Sequence, residues 1–509
     1  MKILHFLALL ITPFACYAQQ KVFNITDYGA KADGITNNTI SIQKAIDNAS
    51  VQGGGTVYVP AGKFLTGVIS MKSNVTLNLA QNAILLGSAK RIDYGEGHAA
   101  PLIAANGLQH IAITGKGTID GNGEELLEDV FAMLKAGKLR DSLWQKQNPW
   151  GQTQPEEPNR PKLIHFSNCT DVLIKGVTMK NGLVWVQDYT KCRDLVIDSI
   201  KVESNTYWNN DGIDLVDCQN VKLTNSFFNA DDDGICLKSS DRNSSCENIY
   251  IANCTTRSSA SGIKFGTASR GGFKKITIKN VKIYDTYRSA IALECVDGGV
   301  MEDIDISDIH AINTGNAIFI RLGHRNKDAV VSTINGIHIS NVTVDVPKGK
   351  PDKGYPMEGP LVKGSHNTFP SSIAGLPGHP VKNVILENIK IVYHGDASKE
   401  IANVSLDSLT KIPENPHDYP EFSMFGELPA WGFYTRHAEG VTFKNVTLSC
   451  PGNDFRAAAV FHDVDGLSIN GLKIPQVKSL PVVVFNRVTK SSVKGIQIPG
   501  KSKIKILRR

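Results

Sequence analysis

A short strand phrase recurs down this chain. Val172-Leu-Ile-Lys-Gly-Val-Thr-Met179 is followed by Val196-Ile-Asp-Ser-Ile-Lys-Val202, Val221-Lys-Leu-Thr-Asn225, Ile249-Tyr-Ile-Ala-Asn253, Ile276-Thr-Ile-Lys-Asn280, Ile304-Asp-Ile-Ser307 and Ile337-His-Ile-Ser-Asn341, at spacings of 24 to 33 residues. Earlier copies stand at Thr56, Val75 and Ile111, and later ones at Val384, Val441 and Leu467. Alternation of apolar and polar residues marks a strand with one buried face. Its return at a fixed period marks a solenoid, in which no coil can bury its apolar side alone. The expected fold is therefore all-β, a right-handed parallel β-helix. Thr39 to Ala49, with Ile40, Ile42, Ala45 and Ile46 at helical spacing and Gly53 to Gly55 behind it, predicts a helix capping the open end.

The repeat also bounds the domain organisation. The 509 residues would allow several domains by length, but a continuous period predicts one, spanning 19–509. Residues 1–18 read as a secretory leader: Lys2, the apolar run Ile3 to Ile11, then Ala15-Cys-Tyr-Ala18 as a cleavage site. The run is too short to span a bilayer. Export with cleavage, to the exterior or a periplasm, is expected ahead of a lipid anchor at Cys16. Net charge is +6, or +5 once Lys2 leaves, and basic residues cluster only in the tail Lys501 to Arg509. That excludes an obvious nucleic-acid partner.

Cysteines Cys169, Cys192, Cys218 and Cys246 fall in register, as either a disulfide-capable ladder or a row of buried thiols. No Cys and His spacing suggests zinc. Asn74, Asn253, Asn341 and Asn445 lie in glycan acceptor motifs but read first as turn residues. Three intrusions break the period, near Asn122 to Pro161, Pro347 to Pro380 and Gly395 to Trp431. They are expected to be loops that wall a cleft, with Trp144, Trp150 and Trp431 either stacking on a ligand or buried.

The chemistry centres on one repeated phrase. Asp211-Gly-Ile-Asp-Leu215 returns 22 residues later as Asp233-Gly-Ile-Cys-Leu237, with Asp232 beside the second copy. On stacked coils these carboxylates would lie about 4.8 Å apart before any lateral offset. Like charges that close raise one another's pKa, the condition for paired acid and base work. The same residues alone would also suit a solvated turn or a Ca²⁺ site. Aligning the coils gives a polar column, Asn181, Asp211, Asp233, Ser261, Ser289 and Asn316. Five positions further on stand Val216, Lys238, Gly266, Glu294 and Arg321, with Lys264 and Arg288 nearby. Alternation would send Asp233 inward with Ile235 and Leu237, so a bend is required between Ala230 and Gly234. None of the 13 histidines enters the column, and His437 reads as structural.

These residues resemble glycoside hydrolase family 28, the polygalacturonases and rhamnogalacturonases. Asn209-Asn-Asp-Gly212 resembles the family's Asn-Thr-Asp-Gly, and Asp232-Asp-Gly-Ile-Cys-Leu-Lys-Ser239 its Asp-Asp-Cys-Ile-Ala-Ile-Lys-Ser, while Asn181-Gly-Leu-Val-Trp185 is similar to its Asn-Ser-Pro-x-Trp region. The resemblance implies a pectin-lyase-like solenoid and inverting hydrolysis of a pectin-type polysaccharide or oligosaccharide. It makes Asp232 the general acid, with Asp211 and Asp233 holding the attacking water. Asn209, Lys238, Lys264, Arg288, Glu294 and Arg321 form the expected substrate-binding set, and no metal, cofactor or partner chain is called for. Two departures, Ala260-Ser261-Gly262 for Gly-His-Gly and Ala292-Leu293-Glu294 for Arg-Ile-Lys, remove groups that hold galacturonate. They point to a branched or rhamnose-containing pectin, with Lys264 and Arg321 as replacement cations. A Ca²⁺-dependent lyase and a non-catalytic glycan-binding solenoid are the competing expectations.

Overall fold

The computed structural model describes residues 21–148, 151–360, 369–395, 398–400, 402–476, 481–500 and 504–507. The expected leader, with Cys16, and Trp150 lie outside them. Parallel pairing carries one inward position through ten successive coils: Ile111, Val172, Leu195, Val221, Ile249, Ile276, Ile304, Ile337, Val384 and Val441. All ten side chains are buried in one continuous core. Each such side chain contributes about 1.5–3 kcal/mol relative to exposure, which is what winds the chain. The register differs by one residue from the phrase alignment at one coil. Leu195 and Ile197 face the core there and Val196 points out, because alternation admits only one of the two sets.

The turns between strands are fixed by asparagine. Asn225, Asn253 and Asn280 take left-handed φ of 54°, 57° and 52°, which Asn tolerates better than other side chains. Their amides stack, Asn253 donating to Asn225 at 3.2 Å and Asn280 to Asn253 at 2.7 Å. Asn74, Asn341 and Asn445 have the same backbone conformation, so the acceptor motifs are turn residues as expected. The cysteines also stack in register, but as thiols: Cys169, Cys192, Cys218 and Cys246 are free and buried, and Cys218 donates to Tyr189 O at 3.0 Å. Reducing agent is therefore expected to leave the melting temperature unchanged, a comparison that a thermal melt with and without dithiothreitol makes directly.

The capping helix α1 spans Thr39–Val51 and buries Ile42, Ala45, Ile46 and Ala49. Ile40, one position off that stripe, is exposed. The intrusions are more ordered than the loops expected. Within the first, Gly123–Lys135 forms a second helix, α2, with Glu124 and Glu125 in its first turn favouring the helix dipole and Leu126, Val130 and Leu134 buried. Within the second, Ser371–Ala374 is a strand that joins the coil stack beside Phe319. The third is seated on the outside of the solenoid: Leu409, Phe422, Phe425 and Leu428 pack against outward-facing Ala292, Phe319 and Tyr434. Trp431 is buried edge-on to Tyr393 and Trp144 lies against Phe131. Among the described residues no helix is long and apolar enough to cross a membrane.

Candidate active site

The repeated phrase builds the site through the pleat. In Ile235–Ser239, Ile235 and Leu237 enter the core, which turns Cys236 and Lys238 to the outer face. Asp214 and Lys264 take the matching outward positions on the coils before and after. The chain bends between Ala230 and Ile235, where the strand ladder is interrupted, as the sequence required. Gly234 permits the coils to close there, since a Cβ would meet Thr256 Oγ1 at 1.9 Å. Gly212 N–H bonds Asp233 O at 2.9 Å and Gly234 N–H bonds Ser261 O at 2.8 Å, placing Asp211, Asp233 and Ser261 in one column. Ser289 and Asn316 continue it. Asn181 does not belong to it. Val186 N–H bonds Asp211 O, so Trp185 holds that place, and Asn181 turns away to Asp120. The six-residue interval between Asn181 and Gln187 carries a non-strand stretch that the phrase alignment could not register.

Two lysines divide the carboxylates. Lys238 Nζ lies 2.7 Å from Asp211 Oδ2, contacts Asp214, and sits 4.2 Å from the Trp185 ring. Lys264 Nζ lies 3.5 Å from both Asp233 Oδ2 and Glu294 Oε2 and 3.2 Å from Tyr419 Oη. Asp233 Oδ1 also accepts the Ser261 N–H at 3.0 Å. Asp232 differs from these buried groups. It is half-buried, and its Oδ1 accepts the Asp233 N–H at 2.9 Å while Asn209 Nδ2 stands 3.5 Å from Oδ2.

The proton affinities separate accordingly. Burial, then Asp211 and Asp233, push Asp232 up to about 7 against Arg288 and Lys264. Burial also acts on Asp233, but Lys264, Lys238 and Arg288 together outweigh it and hold that carboxyl below its ordinary value. Asp211 is raised by burial and by Asp214, with Lys238 opposing. Asp214 is raised to about 6 and Glu294 to about 7, burial leading in each. Such a cluster cannot ionise completely at neutral pH.

A cavity of 790 Å³ opens over these groups, inside the range of about 300–1,000 Å³ usual for ligand clefts. Asn209, Asp211, Asp232, Asp233, Lys238 and Arg288 line it. Residues 143–148, 152–160 and 357–360 and Tyr419 supply the walls, so all three intrusions reach the cleft as expected. Lys264 and Glu294 lie behind the cavity, fully buried and committed to Asp233 and to each other. Arg321 is a correction. Its guanidinium donates to the carbonyls of Gly375, Glu414 and Asn415 and lies over Phe425, fastening the third intrusion. Strand alternation gave its outward direction but not the loop that covers it. Sequence reasoning missed Asp214, Asp231, Arg160, Trp208, Tyr419 and Arg325. Asp214 stands inside the quoted phrase, two residues after Gly212 and outward by alternation, so a signal existed. Arg160 and Tyr419 arrive from aperiodic segments that carry none.

A parallel β-helix with this acid-lined cleft fits the glycoside hydrolases, whose chemistry uses paired carboxylates. The profile of Glycosyl hydrolases family 28 matches residues 49–411, and the chain belongs to that family. It is 25% identical over 415 residues to a protein of Vitis vinifera described as a probable polygalacturonase, covering 74% of this chain and 75% of that one. It is 26% identical over 479 residues to the exo-poly-alpha-D-galacturonosidase of Dickeya chrysanthemi, covering 84% and 76%. The family 28 exopolygalacturonase structure of Yersinia enterocolitica superposes with a TM-score of 0.54 at 18% identity, covering 94% of this chain and 79% of that one, which shows the shared fold.

Proposed function

We propose that the protein hydrolyses a glycosidic bond in a pectin-type polysaccharide by single displacement, with Asp232 as general acid and Asp211 and Asp233 directing the attacking water. The observation that carries this reading is the split between neighbours. Asp232 reaches the cavity with its pKa near 7 while adjacent Asp233 is held ionised by Lys264. Environments that push two carboxyls apart assign one as acid and the other as base. Single displacement inverts the anomeric centre. Proton NMR of the first-formed product tests it, with an inverted anomer expected and a retained one overturning it.

The pH profile follows from the same groups. The acid must carry its proton, so kcat/KM should fall as pH rises through about 7, where Asp232 ionises. The opposite limb should lie below the ordinary carboxylate range, where Asp233 takes up a proton. A bell measured on a soluble oligosaccharide checks both limbs.

The lyase alternative is disfavoured by what occupies the carboxylates. Asp211, Asp233 and Cys236 offer atoms within 4.8 Å of one another, yet Lys238 Nζ stands 2.7 Å from Asp211 and 3.2 Å from Cys236 Sγ. An ammonium in that position opposes a hard cation. A rhamnose-containing pectin remains the proposed substrate. Ala292, where the family's polygalacturonases carry arginine, is an apolar seat for the third intrusion, and Glu294 pairs with Lys264. Arg160, Arg288 and Arg325 line the cleft, whereas Lys264 and Arg321 do not. Faster release of reducing ends from rhamnogalacturonan than from polygalacturonan would support this, and the reverse order would overturn it. Export by a cleaved leader, with a monomeric single domain following it, belongs to the same proposal.

A further inference from the structure

We infer that Arg160 is a positioning residue that orients the Asn209 amide so that it releases, rather than traps, the proton of Asp232. Arg160 is 2% exposed, and its guanidinium hydrogen bonds run to two carbonyls and an amide oxygen rather than to a carboxylate. Its Nη1 donates to the carbonyls of Leu183 at 2.9 Å and Trp208 at 2.6 Å, its Nη2 donates to Asn209 Oδ1 at 2.9 Å, and its guanidinium lies 5.4 Å from the Tyr207 ring centre. Burying a cation without a hydrogen-bonded carboxylate is costly, and here it is tied instead to Leu183 on one coil and to Trp208 and Asn209 on the next.

The donor inventory decides the amide's direction. A guanidinium has only donors, so Asn209 must turn its oxygen to Arg160 and its nitrogen to Asp232. Nδ2 stands 3.5 Å from Asp232 Oδ2, a long contact that leaves this oxygen able to hold a proton. When that proton passes to the leaving oxygen of the glycosidic bond, the C–O bond breaks and Asp232 becomes a carboxylate. The amide N–H then closes on the new charge. A donor that gains strength only as charge develops stabilises the transition state over the ground state. A flipped amide would instead present its oxygen, accept a hydrogen bond from the protonated Asp232 carboxyl and hold that proton back from the substrate.

The inference rests on Asp232 being the acid, and the experiment separates the two. The full-length protein carrying R160K, N209D, R160K/N209D or D232N is compared with the native chain for thermal melting, for the pH dependence of kcat/KM on a natural oligosaccharide, and for turnover of an aryl glycoside whose phenolate leaves without protonation. N209D keeps a partner for Arg160 while replacing the donor with a carboxylate. It should move the basic limb to higher pH, lower kcat on the natural substrate by about 10–100-fold with KM little changed, and lose less on the aryl glycoside. R160K, which removes the second guanidinium arm that reaches Asn209 Oδ1 while the first holds the Leu183 and Trp208 carbonyls, should free the amide to flip and shift the limb in the same direction, and the double variant should lose no more than N209D alone. An unmoved limb in N209D, equal losses on both substrates, or losses that multiply in the double variant would overturn the inference. If R160K melts below the assay temperature, N209D and its two substrates decide by the same criteria. Natural-substrate turnover retained by D232N would instead remove the acid assignment itself.

Discussion

Replacing Asp232 with Asn should lower kcat on pectin-type substrate by about 10²–10⁴-fold while leaving KM within a few-fold of native. The amide keeps the volume and can still accept the Asp233 N–H through its oxygen, but it has no acidic proton to give. Stability should not suffer. Asp232 lies beside Asp211 and Asp233, which push its pKa up to about 7 once burial has acted, so removing its charge relieves repulsion. The expected result is thus an inactive protein whose melting temperature at pH 8 equals or exceeds that of the native chain. Steady-state kinetics and a thermal melt on the same preparation check both halves, and full turnover would defeat the assignment.

Lys238→Met should act in the opposite way, through the fold. Lys238 is the shared counter-ion of Asp211 and Asp214, and all three groups are buried. Removing one member of a buried ionic cluster leaves the others unpaired and costs about 3–5 kcal/mol. Methionine fills most of the volume, so the loss is electrostatic rather than a cavity. A lower urea midpoint with an unchanged m-value is expected, and activity should fall as well because Asp211 loses the cation opposing its protonation. The cost should shrink at low pH, where both carboxyls take up protons.

The two variants separate what the sequence could and could not convey. The strand alternation that buries Ile235 and Leu237 also dictates that Lys238 faces out, and the 22-residue return of Asp-Gly-Ile sets Asp211 over Asp233. Both were legible because they depend only on period and parity. The family resemblance was legible from the same phrases. Helix α2 was hidden because its polar first turn lies in a segment judged by the broken period rather than by its own spacing of Leu126, Val130 and Leu134. Arg321 shared the outward parity of Glu294, yet a covering segment distant in sequence took its guanidinium. Tyr419 and Arg160 reach the cleft through tertiary docking, for which one sequence holds no periodic mark.

That docking has a consequence for how such a molecule can be remodelled. The wall bearing Tyr419 is seated by apolar side chains on a face built from Ala292, Phe319 and Tyr434 and tied down by Arg321 at the carbonyls of Glu414 and Asn415, and it contributes no strand to the coil-to-coil ladders at that face. One wall of the cleft is thereby separable from the winding that aligns the acids. Grafting a different wall onto the same seat would change which glycan enters without asking the solenoid to refold.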